Sequence, residues 1–156
     1  FSKDKSPYKT YSGMGFRRSS QLLRGGYYLH IEPGNSFVGG GFWEPNKEDL
    51  LKIRKGIEFD EGEFRKIITS EEFVSVFGKL KGNQLKTCPK GFSKDSSAID
   101  LLRYKQYLLT KEFSDDEVLL DTFFDEADKV FKAMRPFLDF MSYILTTDEN
   151  GVPLFE

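Results

Sequence analysis

A broad apolar stripe runs through the closing segment of the chain and constrains the fold more than any other feature. Apolar residues recur there at alternating spacings of four and three, as on one face of a helix: Phe123, Ala127, Val130, Met134, Phe137, Met141 and Ile144. Four more apolar residues widen the stripe: Phe124, Phe131, Leu138 and Leu145. This width predicts a long C-terminal helix packed on a sheet or a helix layer, not the narrow seam of a coiled coil.

Pro136 interrupts that helical pattern. Proline lacks the backbone N–H, and its ring clashes with the preceding helical turn. We therefore expect the long helix to be kinked near Pro136, or divided into two helices near Met134 and Arg135.

A β-hairpin is predicted in the first third of the chain. From Tyr27 to Glu32 the residues alternate as they do in a half-buried strand, and residues 33–36 supply turn chemistry before residues 37–43 return. The run Gly39–Gly41 in the returning strand indicates a bulge, a bend, or the close approach of another backbone or a ligand. The structural explanations of this run are favoured. A weaker alternation over residues 12–16 predicts a further strand.

Cap and turn residues predict the remaining elements. We expect helices beginning at Asn46, Asp60 and Ser70, a hairpin over residues 79–87, a short helix capped by Asp95, a strand over residues 107–113 and a capping box over residues 114–117. Their order favours one α+β domain spanning residues 1–156. Its architecture would be an antiparallel sheet with a central hairpin, helices packed on it and the long C-terminal helix.

Composition excludes several classes of protein. Of the 156 residues, 38% are hydrophobic and 31% are charged, which excludes intrinsic disorder. No apolar run approaches the roughly 20 residues of a membrane span, so we expect no membrane partner. The single cysteine, Cys88, excludes an internal disulfide framework and favours a reducing, cytoplasmic compartment.

Charge is unevenly distributed along the chain. Residues 1–30 carry six basic and one acidic side chain, and residues 79–111 carry eight and two. Residues 31–78 carry six basic and ten acidic side chains, and residues 112–156 carry three and twelve. A pI near 5.6 argues against a dedicated nucleic-acid-binding protein. The two basic segments could meet in space as an anion site, or they could be solvated loops.

Candidate catalytic residues are few, because the chain has one histidine and one cysteine. It contains no Rossmann fingerprint, P-loop, zinc-protease helix, EF-hand loop or nucleophile elbow. His30 and Glu32 share one strand face and could act as acid and base, or hold a metal with Asp4 or Asp95. A partly buried histidine hydrogen-bonded beside Glu32 is the favoured alternative, and we predict no metal and no cofactor. The sequence leaves open whether the protein is an enzyme.

Basic residues in loops and at strand ends, beside glycines, predict a surface for a small anionic ligand that bears phosphate or carboxylate. Lysine and arginine form charge-assisted hydrogen bonds with such groups, and glycine lets backbone N–H groups approach. The candidate ligand-binding residues are Lys3, Lys5, Lys9, Arg17, Asn35, Ser36, Gly40, Trp43, Lys86, Lys90, Arg103 and Lys105. The alternative is a non-catalytic interaction module that binds a protein or single-stranded nucleic acid through aromatic residues: Tyr8, Tyr11, Tyr28 and Trp43.

Four segments of the chain carry the pattern of a known family. They are residues 1–10, residues 30–34 with Ser36 and the Gly39–Gly41 run, residues 85–87 with 89–91, and residues 131–136. Together they read FSKDKSPYKT, HIEPG with S and GGG, LKT with PKG, and FKAMRP, and they resemble the domain of unknown function 2461 family of bacteria and fungi. The resemblance covers almost the whole chain and implies no reaction, because that family has no established activity.

The resemblance also carries two expectations about this chain. Family members typically have a helical region and an Arg/Asp-containing strand before the motif that begins here at Phe1. We therefore expect the chain to be the C-terminal major part of a longer protein. Members often have His-Pro before the helix that begins here near Ser96, and the absence of that second histidine weakens a histidine-dependent mechanism.

Overall fold

Four strands form one antiparallel sheet in the computed structural model, which describes residues 8–148 and 150–154. They lie side by side in chain order: β1 (Ser12–Arg17), β2 (Gly26–Ile31), β3 (Ser36–Phe42) and β4 (Tyr107–Phe113). The predicted hairpin is therefore confirmed as β2 and β3, and the strands predicted over residues 12–16 and 107–113 are confirmed as β1 and β4. The α+β class is confirmed as well.

Seven helices accompany the sheet in the described residues: α1 (Lys47–Phe59), α2 (Glu61–Thr69), α3 (Glu71–Phe77), α4 (Ile99–Leu102), α5 (Asp115–Val118), α6 (Phe123–Ala133) and α7 (Arg135–Thr146). Helices α3 and α6 contact the sheet, and α1 and α2 pack against α7. None of the helices in the described part of the chain is long and apolar enough to cross a membrane.

The sheet has two different faces because side chains alternate along each strand. Leu29 lies opposite Val38, and both side chains are buried on what we call the helix face. His30 lies opposite Phe37 on the other face, which we call the outer face. The core of the protein therefore lies between the helix face and the helices.

The C-terminal helical segment is divided at the proline, as predicted. Helix α6 ends at Ala133 and α7 begins at Arg135, so Pro136 occupies the first turn of α7. There its missing N–H removes no hydrogen bond within the helix. Phe137 and Met141 on α7 are fully buried, which places α7 in the middle of the helix layer.

Two glycines of β3 let other groups approach closely. A Cβ atom at Gly40 would lie 2.5 Å from the sulfur of Met134, in the junction between α6 and α7. At Gly41 the φ angle is 120°, and a Cβ atom would collide with the carbonyl oxygen of Tyr107 on β4. Close packing against a side chain and a neighbouring backbone thus explains the glycine run, which is the favoured structural explanation.

Side-chain caps begin three helices at the predicted residues. They are Asn46 for α1, Ser70 for α3 and Ser114 for α5. Ser114 forms a reciprocal capping box with Glu117, and Gly78, with φ of 70°, ends α3. Each cap satisfies a backbone N–H that has no partner within its own helix.

One predicted cap is confirmed in position only, and another is wrong. Asp60 is the N-cap of α2, as predicted, but its side chain makes no capping hydrogen bond, and its backbone N–H closes the last turn of α1 on Gly56. Asp95 does not begin α4, whose N-cap is Ala98. The N–H of Asp95 instead bonds to the hydroxyl of Ser93, in a local turn that competes with helix formation.

The predicted hairpin over residues 79–87 is also wrong. Lys81 pairs with Leu108 at the edge of β4, and Gln84 pairs with Tyr104. Gly82, with φ of 145°, passes so close to the backbone of Gln106 that a Cβ atom would not fit. Pairing with a distant part of the chain has overridden the local turn signal.

Candidate functional site

A cluster of polar and aromatic side chains surrounds His30 on the outer face. The Nδ1 atom of His30 lies 3.3 Å from the hydroxyl oxygen of Tyr28, and Nε2 lies 3.0 Å from a carboxylate oxygen of Glu32. The side chain of Asn35 donates to the same carboxylate oxygen at 2.7 Å. Both ring nitrogens therefore have a partner within the protein. We call Tyr11, Tyr28, His30, Glu32, Asn35 and Phe37 the His30 cluster.

Aromatic rings cover both faces of the His30 imidazole. Tyr11 and Phe37 each stack on it with ring centroids 4.9 Å apart. Only 11% of the His30 side chain is exposed. Gly13 on β1 gives the Tyr28 hydroxyl its space, since a Cβ atom there would collide with it.

The carboxylate of Glu32 is held in its charged form. The hydrogen bond from His30 lowers the pKa of Glu32 below its ordinary value, and bonds from Asn35 and Thr10 act in the same direction. The chain of Tyr28, His30 and Glu32 can carry a proton between the phenol and the carboxylate. The structure thus brings the two predicted catalytic residues together, in the hydrogen-bonded arrangement that the favoured alternative describes.

Predicted ligand-binding residues of β3 and its turn lie in different surroundings. Asn35 belongs to the His30 cluster, whereas Ser36 is buried and its hydroxyl bonds to the backbone of Glu32. Gly40 faces Met134 on the helix face. Trp43 is exposed just beyond the end of β3.

Predicted basic residues near β1 lie toward the outer face. Arg17 is exposed and alternates with Gly13 and Gly15, which pair with His30 and Tyr28, so it shares their face. Lys9 is exposed and precedes Thr10, whose side chain bonds to Glu32. Lys3 and Lys5, with the candidate metal ligand Asp4, lie outside the described residues.

A second group of predicted residues meets where residues 83–85 run beside residues 103–105. The N–H of Leu85 bonds to the carbonyl of Arg103 at 2.8 Å, and the N–H of Lys105 bonds to that of Asn83 at 2.7 Å. This pairing brings Lys105 and Arg103 beside the stretch that leads into Lys86. Helix α1 contributes Arg54, whose Nη2 donates to the carbonyl of Tyr104 at 2.9 Å. We call Arg54, Lys86, Arg103 and Lys105 the basic junction.

Two guanidinium nitrogens of the basic junction have no hydrogen-bond partner among the described residues. The Nε atoms of Arg54 and Arg103 are buried and donate to no acceptor in that part of the chain. The arginine ion pairs among the described residues are formed instead by Arg18, Arg24 and Arg65. A buried donor without a partner costs about 1–3 kcal/mol, so these two nitrogens are exceptions that need an explanation.

Arg54 also faces a buried phenol. The hydroxyl of Tyr107 donates to the carbonyl of Leu101 at 3.0 Å. Burial raises the pKa of Tyr107, while the charge and hydrogen bond of Arg54 oppose that rise. Tyr107 therefore stays protonated, and its hydroxyl brings no negative charge to Arg54.

The remaining predicted lysine lies apart from these groups. Lys90 is exposed in the turn that follows the buried Pro89. The adjacent thiol of Cys88 is half-buried and points at the carbonyls of Pro89 and Phe92. Among the described residues, no three histidine, cysteine, aspartate or glutamate side chains come together as a metal site.

A match to one protein family covers both the His30 cluster and the basic junction. The model of the family described as conserved hypothetical protein (DUF2461) matches residues 1–140. The chain belongs to this family. The predicted resemblance is confirmed, and the matched range includes the whole sheet, the His30 cluster and the basic junction of this DUF2461 chain. No curated protein and no solved structure matches it.

Sequence reasoning missed parts of both groups. Tyr28 was named only as an aromatic residue of the alternative interaction module and not as a partner of His30, although the alternation that placed Glu32 beside His30 places Tyr28 on the same face. Arg54 had no comparable signal, because it lies on a helix about 50 residues from Tyr104. Tyr11 joins His30 only through the pairing of β1 with β2.

Proposed function

We propose that the protein binds a small anionic ligand, bearing phosphate or carboxylate, at the basic junction. One observation carries this proposal: the buried Nε atoms of Arg54 and Arg103 have no hydrogen-bond partner among the described residues. A phosphate or carboxylate oxygen would accept from such a nitrogen and neutralise the guanidinium. Arginine suits this role because its planar donors match the geometry of these anions.

The charge around the junction supports the proposal. Residues 79–111 carry eight basic and two acidic side chains. One of those acids, Asp100, is already paired with Arg65 on α2. Lys86 and Lys105 are exposed at the junction and would attract an anion from solution.

The His30 cluster stays a candidate for proton transfer within this proposal. Tyr28 and Glu32 occupy the two ring nitrogens of His30, so a reacting group would have to displace one of them. Catalysis by His30 and Glu32 therefore remains a prediction, and binding is the function that we propose first.

Binding of defined anions tests the proposal directly. Inorganic phosphate, pyrophosphate and citrate would be added to the full chain, and the thermal midpoint and the heat of binding measured. A ligand at about 100 times its Kd stabilises the native state by roughly 2.7 kcal/mol. We expect at least one of these anions to raise the midpoint by several degrees.

Substitutions then locate the site. Arg103→Met keeps an unbranched apolar stem, and we expect it to weaken anion binding about tenfold or more. Lys47→Ala removes an exposed positive charge at the start of α1 and serves as the control, with unchanged affinity. Equal losses in both variants, or no binding of any anion, would contradict the proposal.

The alternative function is a non-catalytic interaction module. Its support is the exposure of aromatic residues, above all Trp43, whose side chain is 66% exposed. Such a module would bind a protein or single-stranded nucleic acid with steep salt dependence and would weaken in Trp43→Ala. At the His30 cluster, Tyr11 and Phe37 already cover both faces of the imidazole, which leaves no face for a nucleobase to stack on.

A cytoplasmic location belongs to the same proposal. Its support is the free thiol of Cys88, since a reducing compartment keeps such thiols unpaired.

A further inference from the structure

An exposed apolar patch lies between α5 and α6. Leu119 is 82% exposed, Leu120 59% and Phe124 65%. Three large apolar side chains within six residues of the chain are thus exposed to solvent. Single exposed apolar residues are ordinary on protein surfaces, whereas a contiguous group marks an interaction site.

Backbone hydrogen bonds fix this patch in place. The N–H of Leu119 bonds to Asp115, that of Leu120 to Glu117, and that of Phe123 to the carbonyl of Leu120. Phe123 itself is buried and packs edge-on against Phe113 of β4. The segment between α5 and α6 is therefore an ordered turn tied to the core. Its apolar side chains cannot reach the interior unless these hydrogen bonds break.

The patch continues along α6 toward the edge of the sheet. Phe124 and Phe131 are seven residues apart, so they lie on one side of the helix, separated by about 10 Å. Phe131 contacts the ring of Phe16 on β1, and Phe16 and Met14 are both exposed on the helix face. The helix layer therefore leaves this margin of the helix face uncovered in the described residues.

Acidic side chains accompany these apolar residues in the same stretch of chain. Asp116, Asp121 and Asp125 are exposed, and none of them forms an ion pair within the described part of the chain. Asp115 is also exposed and accepts the N–H of Gly34 at 2.7 Å. Residues 112–156 carry twelve acidic and three basic side chains, so the whole surroundings are negative.

We propose that this acidic apolar surface, formed by Leu119, Leu120 and Phe124 with Asp116, Asp121 and Asp125, docks a basic amphipathic helix of a protein partner. The apolar side chains would receive the apolar face of that helix, in the helix-in-groove mode. The aspartates would pair with lysine or arginine on its flanks, which gives the complementary charge at the rim. The proposal is independent of the anion site, because the two surfaces share no residue.

Defined peptides test the proposal on the full chain. The first is a synthetic peptide of leucine and lysine whose leucines follow the helical period. The second replaces every lysine by glutamate, and the third has the leucine and lysine residues in shuffled order. Fluorescence anisotropy measures the Kd of each peptide. We expect the first to bind about tenfold or more tightly than the shuffled one, and the glutamate peptide not to bind.

Variants of the surface separate specific docking from general attraction. Leu119→Ser with Phe124→Ser should weaken the basic peptide about tenfold or more. Phe59→Ser is the matched control, because Phe59 is 94% exposed at the end of α1 and should leave the affinity unchanged. Asp116→Asn with Asp121→Asn should weaken binding at low salt and reduce its salt dependence. Circular dichroism would establish that each variant keeps the helical signal of the wild type.

Three results would overturn the proposal. The shuffled peptide could bind as tightly as the periodic one, or Phe59→Ser could weaken binding as much as the patch variant. The third is self-association of the wild-type chain that disappears in the patch variant, which would make a second copy the occupant. Analytical ultracentrifugation of both proteins without peptide distinguishes that case.

Discussion

The His30 cluster and the basic junction are both polar groups beside one sheet, but their hydrogen bonding differs. In the His30 cluster both ring nitrogens have partners, and stacked rings cover the imidazole. In the basic junction, two buried Nε atoms have none among the described residues. A polar group that is fully bonded is explained by the stability of the fold. A buried polar group without a hydrogen bond needs a partner from outside the fold. This difference in hydrogen bonding makes the basic junction the stronger candidate for a binding site.

The strongest test of this contrast is to remove the imidazole. We expect His30→Ala to lower the free energy of unfolding by about 2 kcal/mol, because it removes two stacking contacts and two hydrogen bonds. Urea denaturation measures the change. Glu112→Ala, at an exposed residue opposite Phe37 on the same face, is the control and should change stability by less than about 0.5 kcal/mol. A His30 variant as stable as this control would remove the structural explanation.

Replacing Arg103 and the paired Arg65 by methionine tests the difference in hydrogen bonding further. Arg103→Met in the ligand-free protein should leave the free energy of unfolding unchanged or raise it by up to about 1 kcal/mol, since it removes a donor without a partner. Arg65→Met should lower it by about 1 kcal/mol, because Arg65 pairs with Glu61 and Asp100 near the surface. Thermal and urea unfolding in a buffer free of phosphate measure both changes. Destabilisation by Arg103→Met equal to that by Arg65→Met would mean that its guanidinium has a partner within the fold.

The charge of Glu32 gives the His30 cluster a pH dependence. The folded pKa of Glu32 is lowered, so its stabilising contribution is present above the ordinary value of 4.5 and is lost as the pH falls through the folded pKa. We expect Glu32→Gln to flatten part of the fall in unfolding free energy on acidification. Glu112→Gln, on the same face, is the matched control for the loss of a carboxylate. Parallel profiles for Glu32→Gln and the wild type would contradict this linkage.

The smallest expected effect belongs to the phenol of Tyr28. Its hydroxyl lies 3.3 Å from His30 and the residue is 36% exposed, so Tyr28→Phe should cost only about 0.5 kcal/mol. Urea unfolding would measure it beside Tyr143→Phe, at another exposed tyrosine. A loss well above about 1 kcal/mol would show that the hydroxyl contributes more to the cluster than its geometry indicates.

Local patterns predicted most of the fold. The alternation around His30, the turn before Ser36 and the proline at the start of α7 act over short stretches, and all three were predicted correctly. The segment around Gly82 was not, because its backbone pairs with β4 and with residues 103–105. Turn chemistry predicts that the chain bends there but not which strand it joins afterwards.

The same distinction between local patterns and long-range contacts applies to the candidate sites. His30 and Glu32 were predicted together because two residues on one strand share a face without further information. The basic junction depends on the meeting of α1 with the end of α4, and no local spacing connects Arg54 with Arg103. Charge counts drew attention to residues 79–111, but burial decides which of their side chains lack a partner among the described residues.

The contact between Met134 and Gly40 has a consequence for oxidative damage. The sulfur of Met134 is fully buried and lies where a Cβ atom of Gly40 would be 2.5 Å away, which leaves no room for an added oxygen. Sulfoxide formation at Met134 therefore requires the helix layer to separate from the sheet. The extent of Met134 oxidation in a peroxide-treated sample would then record how often a chain opens. An oxidised chain could not return to the same packing, so the damage would accumulate in molecules that have opened once.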